Sequence, residues 1–257
     1  MSKKSPYVTS PLGAFAQRFC RPLYKDNTIG GKISYATCTF ITFLGKKYIL
    51  QCYHSLIEDS KERIPIQYVL IDNDFITVPS PFLKNEKYDY AVSSISDEIS
   101  DAITTLEFAN ILEKTLYEPV YTFIIGYPAT RMKDYHKTKV YEQKIEGIHP
   151  ITNNPMSNAG KYFGFATKID IKKRTDNEGW FTSHGDFLKL KRKLPRLEGM
   201  SGGPIFVANA GPQTDQKTLS KNLLGVLTGI KEKEDLIIGV SASQIYAELN
   251  SRLNIQK

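Results

Sequence analysis

The sequence predicts an all-β protein built of antiparallel strands, closed by one amphipathic helix at the C-terminus. Three observations carry that expectation. Short runs rich in Tyr, Phe, Ile, Val and Thr recur between clusters of Gly, Pro, Asn and Asp. Alternation dominates over helical periodicity. Clear helical spacing is confined to the tail beyond Ser241. Many short strands with frequent turn signals read as an antiparallel sandwich or barrel.

In chain order, a short helix is expected at Ser10–Arg18, and Ile29-Gly30-Gly31 reads as a loop with a glycine turn. Strands are expected at Cys38–Phe43, Lys47–Cys52, Ile66–Ile71, Phe75–Val78, Tyr90–Ile95, Val120–Ile125, Tyr162–Ile169, Pro204–Val207, Leu223–Thr228 and Leu236–Val240. The first two form a hairpin around Gly45. Asp72-Asn73-Asp74 makes a tight turn, because these side chains bond their own backbone. Glu107–Lys114 reads as a helix in the connection between two halves, and Gly126-Tyr127-Pro128 as a turn closing a strand. In the tail, Ser241 or Ser243 can cap a helix whose Ile245, Tyr246, Leu249 and Leu253 share one face, so it is expected to pack on the last strands.

Composition narrows the function. With 41 % hydrophobic and 24 % charged residues, the chain can bury a core, and disordered or collagen-like structure is excluded. Lys and Arg number 34 against 27 Asp and Glu, a net charge of +7. The densest basic run, Lys189 to Arg196, reads as a solvated face, and no nucleic-acid-binding signature accompanies it, so nucleic acid is not expected as a partner. The N-terminal Met1-Ser2-Lys3-Lys4-Ser5-Pro6 has no apolar stretch behind it, and no apolar run reaches the roughly 18–20 residues of a membrane span. A cytoplasmic protein without a membrane partner is the expectation. Three cysteines make no disulfide framework. Cys38 and Cys52 would lie almost opposite each other in the hairpin, yet buried reduced thiols are the preferred reading. No Cys/His spacing suits a metal, and no metal or other cofactor is expected.

The chemistry concentrates in Leu197-Glu198-Gly199-Met200-Ser201-Gly202-Gly203-Pro204. Glycines around a serine keep its hydroxyl open and allow backbone conformations other residues resist. A tight turn there can aim the amides of Gly199 and Ser201 at one point, as an oxyanion hole requires. A serine hydroxyl is a poor nucleophile without a base, and Lys47–Tyr53 is an apolar strand that delivers His54 at its end. Asp89, where the strand from Tyr90 begins, can orient that imidazole. Singly, each residue has a plain structural explanation; the ordered set does not. His136, His149 and His184 lack a serine motif, and the rival acids Asp72 and Asp74 suit a turn.

On these residues the chain resembles the chymotrypsin-like (trypsin-like) serine peptidases, especially their cysteine-poor bacterial members. G-x-S-G-G-P at Gly199–Pro204, D-x-A-V at Asp89–Val92 and the strand into His54 carry the resemblance, supported by Leu224–Gly229 and by Ile238-Gly239-Val240 before the last helix. It covers roughly Gly30 to Leu253. It implies two antiparallel six-stranded β-barrels with the active site between them: an N-terminal segment at 1–29, a first barrel at 30–104 with His54 and Asp89, a linker at 105–118, a second barrel at 119–240 with Ser201, and a helix at 241–257. His54 would be general base and then acid, Asp89 its orienting carboxylate, Ser201 the nucleophile, and the Gly199 and Ser201 amides the oxyanion hole.

The departures from the family also carry information. Met200 stands where digestive-type members carry an aspartate that pairs with a freshly cleaved N-terminus, which argues against activation by propeptide cleavage. By the resemblance Pro195 stands at the base of the primary pocket, with Arg196 beside it and Thr228, Gly229 and Ile230 as a wall, so an uncharged side chain is expected there; the alternative is that Arg196 and the neighbouring lysines favour an acidic residue nearby. The function implied is an intracellular serine endopeptidase acting on a protein or peptide, narrow in specificity or gated by a regulatory protein partner, of the kind found in bacterial stress and antiphage systems. The alternative is a catalytically silent peptidase fold that binds peptides or proteins.

Overall fold

The computed structural model describes residues 18–28, 30–57, 65–71, 74–107, 120–127, 163–169, 180–184, 199–208, 223–231 and 236–254. Among the described residues fourteen strands fall into two sheets. The first sheet contains β1 (Cys20–Asp26), β2 (Lys32–Phe43), β3 (Lys46–Gln51), β4 (Gln67–Ile71), β5 (Asp74–Thr77), β6 (Leu83–Asn85) and β7 (Tyr90–Ser94), in the order β5-β4-β1-β2-β3-β7-β6. An eighth strand, β8 (Leu106–Glu107), pairs in parallel with β2. The second contains β9 (Val120–Gly126), β10 (Phe163–Ile169), β11 (Trp180–His184), β12 (Pro204–Ala208), β13 (Leu223–Lys231) and β14 (Leu236–Ser241), in the order β10-β9-β12-β13-β14-β11. Its two edge strands, β10 and β11, pack against each other, which closes the sheet.

β2 is the spine of the first sheet. Its Ala36, Cys38 and Phe40 face one core with Leu23, Ile49 and Val69. Ile41 and Phe43 face a second core, which holds Leu50, Tyr90 and Val92 from the first sheet and Phe206, Val226 and Val240 from the second. A strand buried on both faces reads as a near-continuous apolar run, which is why β2 is long and its alternation weak. The helix Ala242–Asn254 completes the second core with Ala242, Ile245 and Leu249. Ser241 is its cap, its Oγ accepting the Gln244 amide at 3.2 Å. Among the described residues no helix is long and apolar enough to cross a membrane.

Several expectations need correction. The first sheet has eight strands rather than six, begins at Cys20 rather than Gly30, and takes in Leu106–Glu107 beyond 104. Glu107 therefore ends a short strand, not the start of a helix; residues 108–114 and 10–17 lie outside the described residues, as do His136 and His149. His184 ends strand β11. Cys38 and Cys52 are not opposite: Thr39 pairs with Leu50, so the register sets Cys38 against Gln51 and turns the two thiols to different faces. All three cysteines are buried. The glycine turn at 30 is present, with Gly30 at φ 79° and the Gly31 amide donating to Asn27 Oδ1.

Candidate active site

His54 opens a single 3-10 turn, His54–Leu56, directly after β3. That turn is pinned from below by buried polar groups. Ser55 Oγ donates to Cys52 O at 2.6 Å, Gln67 Nε2 donates to Ser55 O at 3.1 Å, and Gln51 Nε2 donates to Gln67 Oε1 at 2.9 Å. Each buried amide has a partner, so the turn is held without a disulfide.

Asp89 reaches His54 twice. The His54 amide donates to Oδ1 at 2.8 Å, and Nδ1 lies 2.6 Å from Oδ2. In this geometry the Nδ1–H tautomer donates to the carboxylate, which leaves the Nε2 lone pair facing away. Asp89 sits at φ 57°, a left-handed conformation that aspartate tolerates better than most residues. The loop before it is fixed by Asn85, whose Oδ1 accepts the Tyr88 amide at 3.0 Å. Tyr53 OH donates to Glu86 Oε1 at 2.6 Å and ties the two turns together.

Ser201 lies in the turn that precedes β12. Gly199 and Gly202 on either side both have φ 90°, a conformation that favours glycine. The Gly202 amide donates to Leu227 O and the Gly203 amide to Met200 O. No acceptor among the described residues takes the Gly199 or Ser201 amide. The Ser201 hydroxyl donates to Thr228 O at 3.5 Å, a long contact, and no hydrogen bond joins it to His54 among the described residues. His54, Gly199 and Ser201 nevertheless line one cleft of about 290 Å³, walled by Lys25, Tyr35 and Ile57 of the first barrel.

Two features were not anticipated from sequence. β13 carries a bulge between Leu227 and Gly229, and the extra residue is Thr228. The bulge aims the Thr228 carbonyl at Ser201 while its hydroxyl donates to Ile238 O at 3.3 Å. Of the expected pocket wall, Gly229 faces open space and Ile230 continues β13; Pro195 and Arg196 lie outside the described residues. The second feature is Cys52, whose thiol donates to Leu227 O at 3.1 Å behind the His54–Asp89 pair. Burial, and then the Asp89 carboxylate, push that thiol well above the usual cysteine range. The donor atoms of Cys52, His54 and Asp89 lie within 4.8 Å of one another. Each is already spent on a hydrogen bond, so the arrangement reads as an imidazole–carboxylate pair backed by a protonated thiol.

No protein-family model matches the chain, and no curated protein matches it in sequence. Solved structures do. A thermostable serine protease, AL20, from an extremophilic microorganism is similar with a TM-score of 0.53 at 10 % identity, over 90 % of this chain and 96 % of that one. A Glu endopeptidase is similar at 0.52 and 12 %, over 96 % and 94 %. The Vibrio cholerae VesB protease is similar at 0.53 and 13 %, over 96 % of this chain and 68 % of that one. At such identities the likeness bears on architecture, and with the two sheets above it establishes the all-β, double-barrel fold of chymotrypsin-like serine proteases.

Proposed function

We propose that the protein is a serine endopeptidase that hydrolyses peptide bonds through an acyl-enzyme on Ser201. The observation that carries this reading is the doubly bonded His54–Asp89 pair in one cleft with a serine whose turn holds two glycines at positive φ. With Nδ1–H given to Asp89, His54 Nε2 takes the Ser201 proton as Oγ bonds to the substrate carbonyl carbon. The carbonyl oxygen becomes an oxyanion and accepts the Gly199 and Ser201 amides. The imidazolium then gives its proton to the amine as the C–N bond breaks. Water, deprotonated by the same imidazole, releases the acid and restores the hydroxyl. On this reading the hydroxyl leaves Thr228 O for His54 when substrate fills the cleft, since catalytic hydrogen bonds often tighten only in the complex.

The reading extends to specificity and setting. The resemblance assigns the primary pocket to Pro195, Arg196, Thr228, Gly229 and Ile230, and the uncharged Pro195 favours an uncharged substrate side chain. A broadly active protease inside a cell is harmful, so narrow specificity or a gating protein partner belongs to the proposal, as does a place among effectors of bacterial stress or antiphage systems. A second reading, a silent peptidase fold that binds peptides, is favoured by one observation: Ser201 bonds to Thr228 rather than to His54.

A fluorophosphonate probe separates the two. The wild type should be labelled, and Ser201→Ala and His54→Ala should both lose labelling. Absence of labelling in the folded wild type, alone and with proteins encoded beside it, would sink the peptidase reading and leave the binding module.

A further inference from the structure

The nucleophile turn must be held in shape by something, and Met200 carries no charge with which to hold it. The contacts converge instead on one residue of β2. Thr37 is fully buried, and its backbone and side chain both engage the turn. Its amide donates to Ser201 O at 3.0 Å. Its hydroxyl donates to Gly199 O at 2.7 Å and accepts the Tyr127 amide at 2.9 Å. A hydroxyl has one proton to give, so these two bonds complete each other. Its carbonyl lies 2.1 Å from the position a Cβ at Gly202 would occupy. The neighbouring hydroxyl on the same strand face, Thr39, donates to Gly202 O at 2.7 Å.

Gly126 and Tyr127 supply the other half of the clamp. At Gly126 a Cβ would fall 2.8 Å from Met200 Cβ, so the bare backbone lets the Met200 side chain seat against the end of β9. Met200 is fully buried there. Tyr127 follows at once and gives its amide to Thr37. The Gly126-Tyr127 pair, which as sequence is only a turn after a strand, thus meets the nucleophile turn from the second barrel while Thr37 meets it from the first.

We infer that the Thr37 hydroxyl is a positioning residue for the nucleophile turn, coupling Gly199 to Tyr127 so that the Gly199 peptide stays oriented without an ion pair at position 200. The catalytic consequence rests on the peptidase reading; the structural one does not. Thr37→Val keeps the shape and removes the hydroxyl, and with it the bonds to the Gly199 carbonyl and from the Tyr127 amide. Thr37→Ser keeps the hydroxyl.

Two readouts test it. In fluorophosphonate labelling, Thr37→Val should lower the maximal inactivation rate by about tenfold or more with the half-saturating probe concentration unchanged, and Thr37→Ser should recover most of the rate. A loss confined to probe binding, or an unchanged rate in Thr37→Val, overturns the inference. Native-state hydrogen exchange supplies the readout independent of catalysis. The Gly202 and Gly203 amides, bonded to Leu227 O and Met200 O, should exchange about tenfold or more faster in Thr37→Val than in wild type or Thr37→Ser. Equal exchange overturns the inference even if the wild type is never labelled, whereas an unlabelled wild type with faster exchange in Thr37→Val removes the peptidase reading and leaves this one standing.

Discussion

At the scale of single residues, the site depends on where a backbone can come close to another backbone. Gly202 is the sharpest case. A Cβ there would meet Thr37 O at 2.1 Å, and φ is 90°, so two penalties fall on one position. Gly45 separates them, having φ 76° with nothing within 4 Å. Gly45→Ala should cost about 1–2 kcal/mol, the left-handed penalty alone. Gly202→Ala should cost about 2–5 kcal/mol, the same penalty plus overpacking against main chain that cannot yield. Urea titration of both variants measures the difference, and equal midpoints would show that the first barrel gives way. The candidate residues themselves were legible: a serine among glycines, a histidine at a strand end and an aspartate before a strand each need little context to notice. Thr37 and Thr39 were not, because an i, i+2 pair of hydroxyls in a strand looks like ordinary β propensity until its partners, more than 160 positions away, are known. The Thr228 bulge was hidden for the same reason, since a bulge is defined by the partner strand.

At the scale of elements, every expected strand is present, and most of the additional ones are either very short or interrupted by charged residues and proline. β1, β6, β8 and β11 were passed over: β6 and β8 have three and two residues, too few for alternation to register, and β1 carries Arg21, Pro22 and Lys25 within its run. What places β8 is its parallel pairing with β2, a tertiary contact that no local pattern announces. The β2–β3 hairpin, by contrast, was anticipated, and it contains a local conflict. Phe43 pairs with Lys46, so Leu44 and Gly45 form a two-residue loop, with φ 49° and 76°. Positive φ at both positions marks a type I′ turn, which favours Asn-Gly. Leu44 is 59 % exposed, so its side chain is not held in place by the core. Leu44→Asn should therefore stabilise the protein by about 1 kcal/mol, the strain of a left-handed leucine relieved. An unchanged or lower thermal midpoint would mean that the leucine's residual contacts outweigh its backbone strain.

At the scale of the whole molecule, the question is whether two barrels fold as two units or one. The second core answers for one, because Leu50, Tyr90 and Val92 of the first sheet share it with Phe206, Val226 and Val240 of the second, and Leu249 of the terminal helix lies among them. Polar contacts reinforce the join: Asn85 Nδ2 donates to Glu248 Oε2 at 2.6 Å, and the Tyr90 hydroxyl donates to the same oxygen. That hydroxyl is held far above the usual tyrosine range, by burial first and then by the carboxylate, so it remains a donor across the accessible pH range. The helix thus rests against the strand pair that frames the Asp89 turn. Leu249→Ala should remove about 2–5 kcal/mol. The chain's single tryptophan, Trp180, sits on β11 of the second sheet, so its fluorescence reports on that barrel while far-ultraviolet dichroism reports on both. If the barrels share one cooperative unit, the two signals coincide in wild type and shift together in Leu249→Ala. A dichroism transition that moves while the tryptophan transition stays would split the barrels into separate units, and the clamp between Thr37 and the Ser201 turn would then have to form after each barrel had folded.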